Sequence, residues 1–208
     1  MGIRINNTND YIQNVTINGY KHMAFNEQVV ILPNLKKGKN LIEIEMGPEP
    51  SRNPRLIYIS KRMPFIRKSG ENLELKVITQ SKGRFKFYSE DQYVLLNADW
   101  QKWNRKGDNV LEGYVTSDRT IKLTKIADTK FILKCATLPI HEIKVNSGQV
   151  KLTLENKENI EHTIWFKTPA EPKNIMALGK RLSFSGHDNT YIVTIPAFEN
   201  QTELLIEL

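Results

Sequence analysis

The sequence predicts an all-β protein, and three observations carry this prediction. Apolar and polar residues alternate in short runs, as in 73–77, 120–124 and 149–154. Successive side chains of a strand point to opposite faces, so such runs bury one face and wet the other. Turn-forming pairs such as Asn18-Gly19 and Ser147-Gly148 separate the runs. Finally, no segment sustains the apolar period of about 3.6 residues that indicates a helix.

The predicted strands follow one another at short intervals. In order they are 3–6, 14–18, 29–32, 41–46, 56–60, 73–77, 84–88, 93–96, 110–116, 120–124, 130–136, 141–146, 149–154, 162–167, 190–195 and 203–208. Turn signals fall between them at 37–38, 69–70, 82–83, 106–109 and 185–189. Many short strands without long crossover helices favour antiparallel sandwiches over a parallel α/β sheet. The expected architecture is therefore two immunoglobulin-like antiparallel β-sandwich units.

Two segments are candidate boundaries between these units. Residues 47–54 contain three prolines, which break ladder hydrogen bonding and indicate a connector. At 137–139 the charge balance changes sign, from basic before it to slightly acidic after it. The predicted units are residues 1–136, including the connector at 47–54, and residues 137–208. We expect proteases to cut first at the connector, or near 137–139 if the units are loosely joined.

The chain carries a formal net charge of +7, and its most basic segment is 51–70, with six basic residues and no acidic one. Clustered Lys and Arg attract polyanions without reading sequence. No recognition-helix, zinc-finger or RNA-binding strand pattern accompanies the segment, so nucleic acid is not favoured. The sequence predicts a solvated segment between strands. Anionic glycans such as uronate polymers are an alternative partner that composition does not separate from nucleic acid.

Residue types that carry chemistry give no assignable catalytic, metal or cofactor site. The four histidines lack metal-ligand spacing, and Cys135 is expected on the core face with Phe131 and Leu133. The histidines are His22, His141, His162 and His187. No run approaches the roughly 20 apolar residues of a membrane span. The first residues lack the apolar centre of a signal peptide, so an extracytoplasmic location is expected only within a longer secreted protein.

The segment 97–105 is the candidate ligand site. It places Trp100 and Trp103 among polar side chains that suit sugar hydroxyls, namely Asn97, Asp99 and Arg105. Trp is amphipathic and stacks on the C–H faces of sugars. The alternative is that one of the two rings fills the sandwich core and the other covers its edge. Trp165 is expected in the core.

A weak internal repeat links the two ends of the chain. Each copy runs strand, glycine turn, strand closed by proline, and final alternating strand, over 14–45 and 174–207. The C-terminal copy, through 175–180, 191–196 and 204–208, resembles the β-sandwich modules that accompany catalytic domains in bacterial polysaccharide-degrading enzymes. The N-terminal copy is similar to the same kind of module. The resemblance covers about a third of the chain.

That resemblance implies a non-catalytic structural or accessory β-sandwich module of a bacterial carbohydrate-active, glycoside hydrolase-associated protein. Its expected partners are a polysaccharide or a neighbouring catalytic domain. One alternative is a carbohydrate-binding module that uses exposed Trp and Tyr side chains. Another is a β-rich hydrolase or lyase whose site converges only in the fold. The chain is expected to be a module rather than a complete enzyme.

Overall fold

The structure, a computed structural model, describes residues 1–6, 9–90, 93–104, 109–126 and 130–208. The described residues form strands and no helix, which confirms the all-β prediction. None of them forms a helix of the length and apolarity needed to cross a membrane. In chain order the strands are β1 (Gly2–Asn6), β2 (Tyr11–Ile17), β3 (Tyr20–His22), β4 (Leu41–Gly47), β5 (Arg55–Ile59), β6 (Arg62–Ser69), β7 (Asn72–Ile78), β8 (Gly83–Tyr88), β9 (Tyr93–Leu96), β10 (Trp100–Asn104), β11 (Val110–Val115), β12 (Arg119–Lys125), β13 (Ile132–Ala136), β14 (Ile140–Asn146), β15 (Gln149–Asn156), β16 (His162–Lys167), β17 (Asn174–Ala177), β18 (Lys180–Arg181), β19 (Phe184–His187), β20 (Thr190–Ile195) and β21 (Asn200–Glu207).

These strands form four sheets. The N-terminal sheet has the order β1-β4-β2-β3, with β1 parallel to β4 and the other pairs antiparallel. The largest sheet has eight strands in the order β19-β20-β16-β13-β10-β11-β8-β5. The remaining two have the orders β6-β7-β12-β9 and β14-β15-β21-β17-β18. The immunoglobulin-like detail of the prediction stays a prediction.

The eight-stranded sheet forms one layer of two neighbouring sandwiches. In the middle sandwich, its half from β5 to β10 packs on β6-β7-β12-β9, and Phe85 and Leu75 meet in the core. In the C-terminal sandwich, its half from β13 to β19 packs on the five-stranded sheet, and Phe166 meets Leu152. Alternation places these apolar side chains inward, and their burial supplies most of the stability.

The two sandwiches are joined by backbone pairing. Strand β10 pairs with β13 through Gln101↔Ala136 and Lys102↔Cys135, so the sheet passes from one sandwich into the other. Strand β9 serves both cores, because Leu95 packs in the middle core while its neighbours Val94 and Leu96 pack in the C-terminal core. The predicted division at 136/137 stays a prediction, and it falls directly after a strand that pairs on both sides.

The N-terminal sheet has a small core of its own, built from Ile12, Val15, Phe25 and Ile42. The prediction of a strand at 29–32 is wrong, since that segment forms only the isolated bridge between Phe25 and Val30. The side-chain oxygen of Asn26 accepts hydrogen bonds from the backbone N–H groups of residues 28 and 29, at 2.9 and 2.8 Å. Because these two N–H groups are used in the local turn, they are not available as donors to a neighbouring strand.

The two copies of the internal repeat share a hairpin. Asn18-Gly19 and Leu178-Gly179 have positive φ at both positions, as a two-residue type I′ turn requires. Each hairpin's first strand then pairs antiparallel with the closing strand, β2 with β4 and β17 with β21. The copies differ in the proline-closed strand, because 190–195 lies in the eight-stranded sheet as β20 whereas 29–32 is irregular.

Limited proteolysis is expected to cut the connector at 47–54 first. Pro48, Glu49 and Pro50 are exposed and outside any strand, whereas Leu138 and Pro139 are buried. A protease needs an accessible, locally unfolded backbone, so cutting near 137–139 should appear only after global unfolding. Mass spectrometry of early fragments checks this order. An early cut near 137–139 would contradict the joined sandwiches.

Candidate functional site

Trp100 and Trp103 lie on opposite faces of β10, since they are three positions apart and side chains alternate along an extended strand. Trp103 is 4% exposed and packs in the core of the middle sandwich. Trp100 is half-buried on the outer face, which is the face of the eight-stranded sheet turned away from both cores. Its ring meets that of Tyr114 at 5.1 Å between centroids and 60° between planes. Of the two, Trp100 is the one with ring surface at the outer face.

Gln101, between the two tryptophans, is buried and makes a structural bridge. Its side-chain oxygen accepts a hydrogen bond from the backbone N–H of Leu95 at 2.8 Å, and its amide nitrogen donates to the Leu95 carbonyl at 2.7 Å. The side-chain amide thus makes the same two-way hydrogen bonding with β9, in the facing sheet, that a strand's backbone would make. This amide is therefore used within the fold and not on a surface.

Asn97 connects the end of β9 to the C-terminal sandwich. Its backbone has φ 66°, a left-handed conformation that Asn tolerates well. Its N–H donates to the Ile140 carbonyl at 2.9 Å, and its side-chain oxygen lies 2.7 Å from His141 Nδ1. The predicted sugar-binding amide is thus engaged by β14.

Asp99 is engaged by partners from β12 and the loop before it. One carboxylate oxygen accepts hydrogen bonds from the Thr116 N–H at 2.6 Å and the Thr116 hydroxyl at 2.7 Å. The other lies 2.9 Å from the guanidinium of Arg119, whose side chain is 10% exposed. Arg119 also donates to the Asn97 carbonyl at 3.2 Å. Charge-assisted bonds of this kind are stronger than neutral ones.

Asn97, Asp99, Arg119, His141 and Glu155 together form what we call the junction network. Glu155 completes it from β15, with one carboxylate oxygen 3.4 Å from His141 Nε2 and 3.9 Å from the Arg119 guanidinium. The network therefore ties the loop between β9 and β10 to β12 in the middle sandwich and to β14 and β15 in the C-terminal one. Two of the predicted ligand residues serve in it.

A groove of about 330 Å³ opens beside the junction network. Asp99 and Glu155 line it together with His162, whose pKa is lowered by burial. Both carboxylates already have partners, because Asp99 is held by Thr116 and Arg119 and Glu155 by Lys157 and His141. The arrangement is that of a structural contact between the two sandwiches. It is also where the hydrolase or lyase alternative would have its carboxylates.

The outer face carries one continuous row of side chains across all eight strands. Directly paired residues lie on the same side of a sheet, so the pairing register defines the row. Its members, from β19 to β5, are Ser185, Ile192, Trp165, Cys135, Lys102, Glu112, Lys86 and Tyr58. Seven steps between strands of about 4.8 Å give a length of roughly 34 Å. We call this the outer row.

Two members of the outer row correct the sequence analysis. Trp165 was expected in the core but is 44% exposed, because Ile164 and Phe166 on either side of it point inward. Cys135 was expected beside Phe131 and Leu133, but a bulge between residues 133 and 135 turns it to the outer face. Burial raises the pKa of its thiol. Alternation within β16 is the sequence signal for this position, because apolar residues at 164 and 166 on the core face put residue 165 on the outer face.

A cluster of rings and charges lies beside the outer row. Arg84, on β8, forms an ion pair with Glu112, and the Tyr114 hydroxyl donates to the same carboxylate oxygen at 2.9 Å. Burial raises the pKa of Glu112, but these two hydrogen bonds outweigh it and hold that pKa below its ordinary value. The Lys82 ammonium lies 4.3 Å from the centroid of the Tyr114 ring. Such a contact is a cation–π interaction.

The basic segment 51–70 forms strands in two sheets and is not a connection between strands. Four of its basic side chains are nevertheless exposed, namely Arg52, Arg62, Arg67 and Lys68. Arg55, in β5, is buried and stacks on the Tyr88 ring at 4.3 Å. Arg67, in β6, lies in the sheet that faces the eight-stranded one. There it forms an ion pair at 2.7 Å with Glu74 of the neighbouring strand β7. Arg55 and Arg67 therefore do not share a surface. Arg105 of the predicted ligand site lies outside the described residues.

Among the residues that the structure describes, no group of three or more His, Cys, Asp or Glu side chains is placed to hold a metal ion. No protein-family model matches the chain. Nor does a search of curated proteins find a match. The arguments about function below therefore depend on the geometry of the junction and of the outer face.

Proposed function

We propose that this chain is a non-catalytic accessory β-sandwich module of a carbohydrate-active protein. The observation that supports this role is the eight-stranded sheet that runs through both sandwiches. Together with the junction network, it joins the two units through backbone pairing and side-chain contacts. A joined pair of sandwiches with a broad open sheet face suits a module that positions a neighbouring catalytic domain or meets an extended polymer.

Polysaccharide binding is the accessory role that the outer face favours. Trp165 and Tyr58 are 44% and 43% exposed on that face, and Trp100 and Tyr114 lie half-buried between them. Large amphipathic rings at a surface combine an apolar plane with a polar edge, which suits sugar rings. This role relocates the carbohydrate-binding alternative from segment 97–105 to the whole sheet face, with Trp100 as the shared residue.

Native gel electrophoresis through polysaccharide-containing gels tests this role. The full chain is compared with Trp165→Ala and Trp100→Ala, and Tyr20→Ala serves as the control. Tyr20 is 81% exposed, but on the N-terminal sheet. We expect the wild type to be retarded by at least one polysaccharide. Each outer-face variant should bind about tenfold more weakly, as for truncation of an aromatic anchor, and Tyr20→Ala should behave as the wild type.

Thermal unfolding of each variant separates lost binding from lost folding. Retention that Trp165→Ala and Trp100→Ala leave unchanged would contradict binding at the outer face. A wild type that no polysaccharide retards would leave the purely structural module as the function.

A further inference from the structure

The outer face carries four lysines that form no ion pair with a described carboxylate. Lys86 and Lys102 belong to the outer row, and Lys167 follows Trp165 on the same face of β16. Lys82 lies over the Tyr114 ring. Among the residues that the structure describes, none of these four ammonium groups has a carboxylate within ion-pair distance. Their charge is therefore available to a partner.

The carboxylate in the row does not cancel this charge. Glu112 lies directly between Lys86 and Lys102 in the register, and Arg84 forms an ion pair with it. Its lowered pKa keeps it ionised as the partner of Arg84. With Arg84 and Glu112 compensating each other, the lysines leave a positive potential over the face, which attracts anions.

Trp165, Lys102 and Lys86 lie along the outer row at even spacing. Lys86 and Lys102 are two strands apart, and so are Lys102 and Trp165, which makes each interval roughly 10 Å. Tyr58 lies one strand beyond Lys86. A linear polymer crossing from β16 to β8 would meet a ring or a positive charge at every second strand. This interval is comparable to a pair of sugar units.

Resting on the polysaccharide-binding role proposed above, we propose that the outer face binds an anionic polysaccharide, a polymer of uronate sugars. Some uronate units supply carboxylates for Lys86 and Lys102, and other units of the polymer present C–H faces to Trp165 and Tyr58. Single-stranded nucleic acid fits less well. Proteins that bind it combine a positively charged groove with freely stacking rings, whereas this face is open and Trp100 and Tyr114 pack edge to face.

Affinity electrophoresis with two forms of one polymer tests the proposal. The full chain is run in gels containing polygalacturonate or the same polymer with its carboxylates methyl-esterified, and a single-stranded oligothymidylate is titrated separately. The charge variant is Lys86→Gln/Lys102→Gln. The matched control, Lys37→Gln/Lys39→Gln, removes the same charge from exposed lysines elsewhere. We expect retention by polygalacturonate only, weakened about tenfold by the first pair of substitutions and unchanged by the second.

Four outcomes would overturn the proposal. Equal retention by the esterified polymer would indicate a neutral glycan, in which case the polysaccharide-binding role holds and this inference fails. Equal weakening by both double variants would indicate a diffuse effect of net charge. Tighter binding to the oligothymidylate than to polygalacturonate would indicate a nucleic-acid surface. If neither form of the polymer nor any other polysaccharide retards the chain, the binding role itself fails.

Discussion

Trp103→Ala is expected to lower the free energy of unfolding by about 3–5 kcal/mol, the usual cost of emptying a core site of this size. Trp103 is 4% exposed and packs in the core of the middle sandwich, opposite Leu111 in the register. Its removal loses apolar burial and leaves a cavity in that core. Urea denaturation followed by circular dichroism measures the change.

Trp165→Ala is the matched control, because it removes the same side chain from the same sheet. Trp165 is 44% exposed on the opposite side of that sheet. Its loss is expected to cost under about 1 kcal/mol, as for most surface substitutions. Similar costs for the two variants would mean that Trp103 does not fill the core.

Arg119→Met is expected to destabilise the chain by about 1.5–3 kcal/mol, because it removes a charge-assisted contact and leaves a partly buried carboxylate without its cation. The guanidinium lies 2.9 Å from Asp99, and both side chains are largely shielded from solvent. Methionine keeps part of the apolar stem while it removes the charge. The double variant Arg119→Met/Asp99→Asn should recover part of the loss, since no unpaired carboxylate remains.

Arg67→Met provides the comparison. Arg67 also forms a short pair, 2.7 Å from Glu74, but its side chain is 65% exposed. Exposed pairs contribute at most about 1 kcal/mol. Denaturation curves of the two single variants therefore separate burial from pair geometry. An Arg119 variant as stable as the Arg67 variant would show that the pair of Arg119 with Asp99 contributes no more than an exposed pair.

The strands were the part of the fold that sequence could predict. Alternation within 73–77 and 149–154 depends on local residues alone, and both segments are strands. Strand β10 was missed although its burial alternates too, because its composition of Trp, Gln, Lys and Asn suggested a ligand loop. The bulge before Cys135 shifts the alternation by one residue, and nothing in the local residues of β13 announces it.

The candidate site was predictable only in part, for a long-range reason. Asn97 and Asp99 are correctly singled out as unusual polar residues, but their partners lie on β12 and β14, far along the chain. Likewise the outer row depends on the register of eight strands. Trp165 and Lys102 become neighbours through a strand that neither belongs to. The pairing partner and register of a strand cannot be predicted from the residues of that strand alone.

The pairing of β10 with β13 also has a consequence during synthesis. Strand β13 leaves the ribosome after β10, β11 and β12, so a nascent middle sandwich must wait with the outer edge of β10 open. An open strand edge is a template for pairing with another chain. Nascent chains on neighbouring ribosomes of one messenger RNA could pair through the open edge of β10. A delay in translation before residue 132 would lengthen the time for which that edge is exposed. The strand edge that joins the two sandwiches in the mature molecule is thus open to pairing with another chain during synthesis.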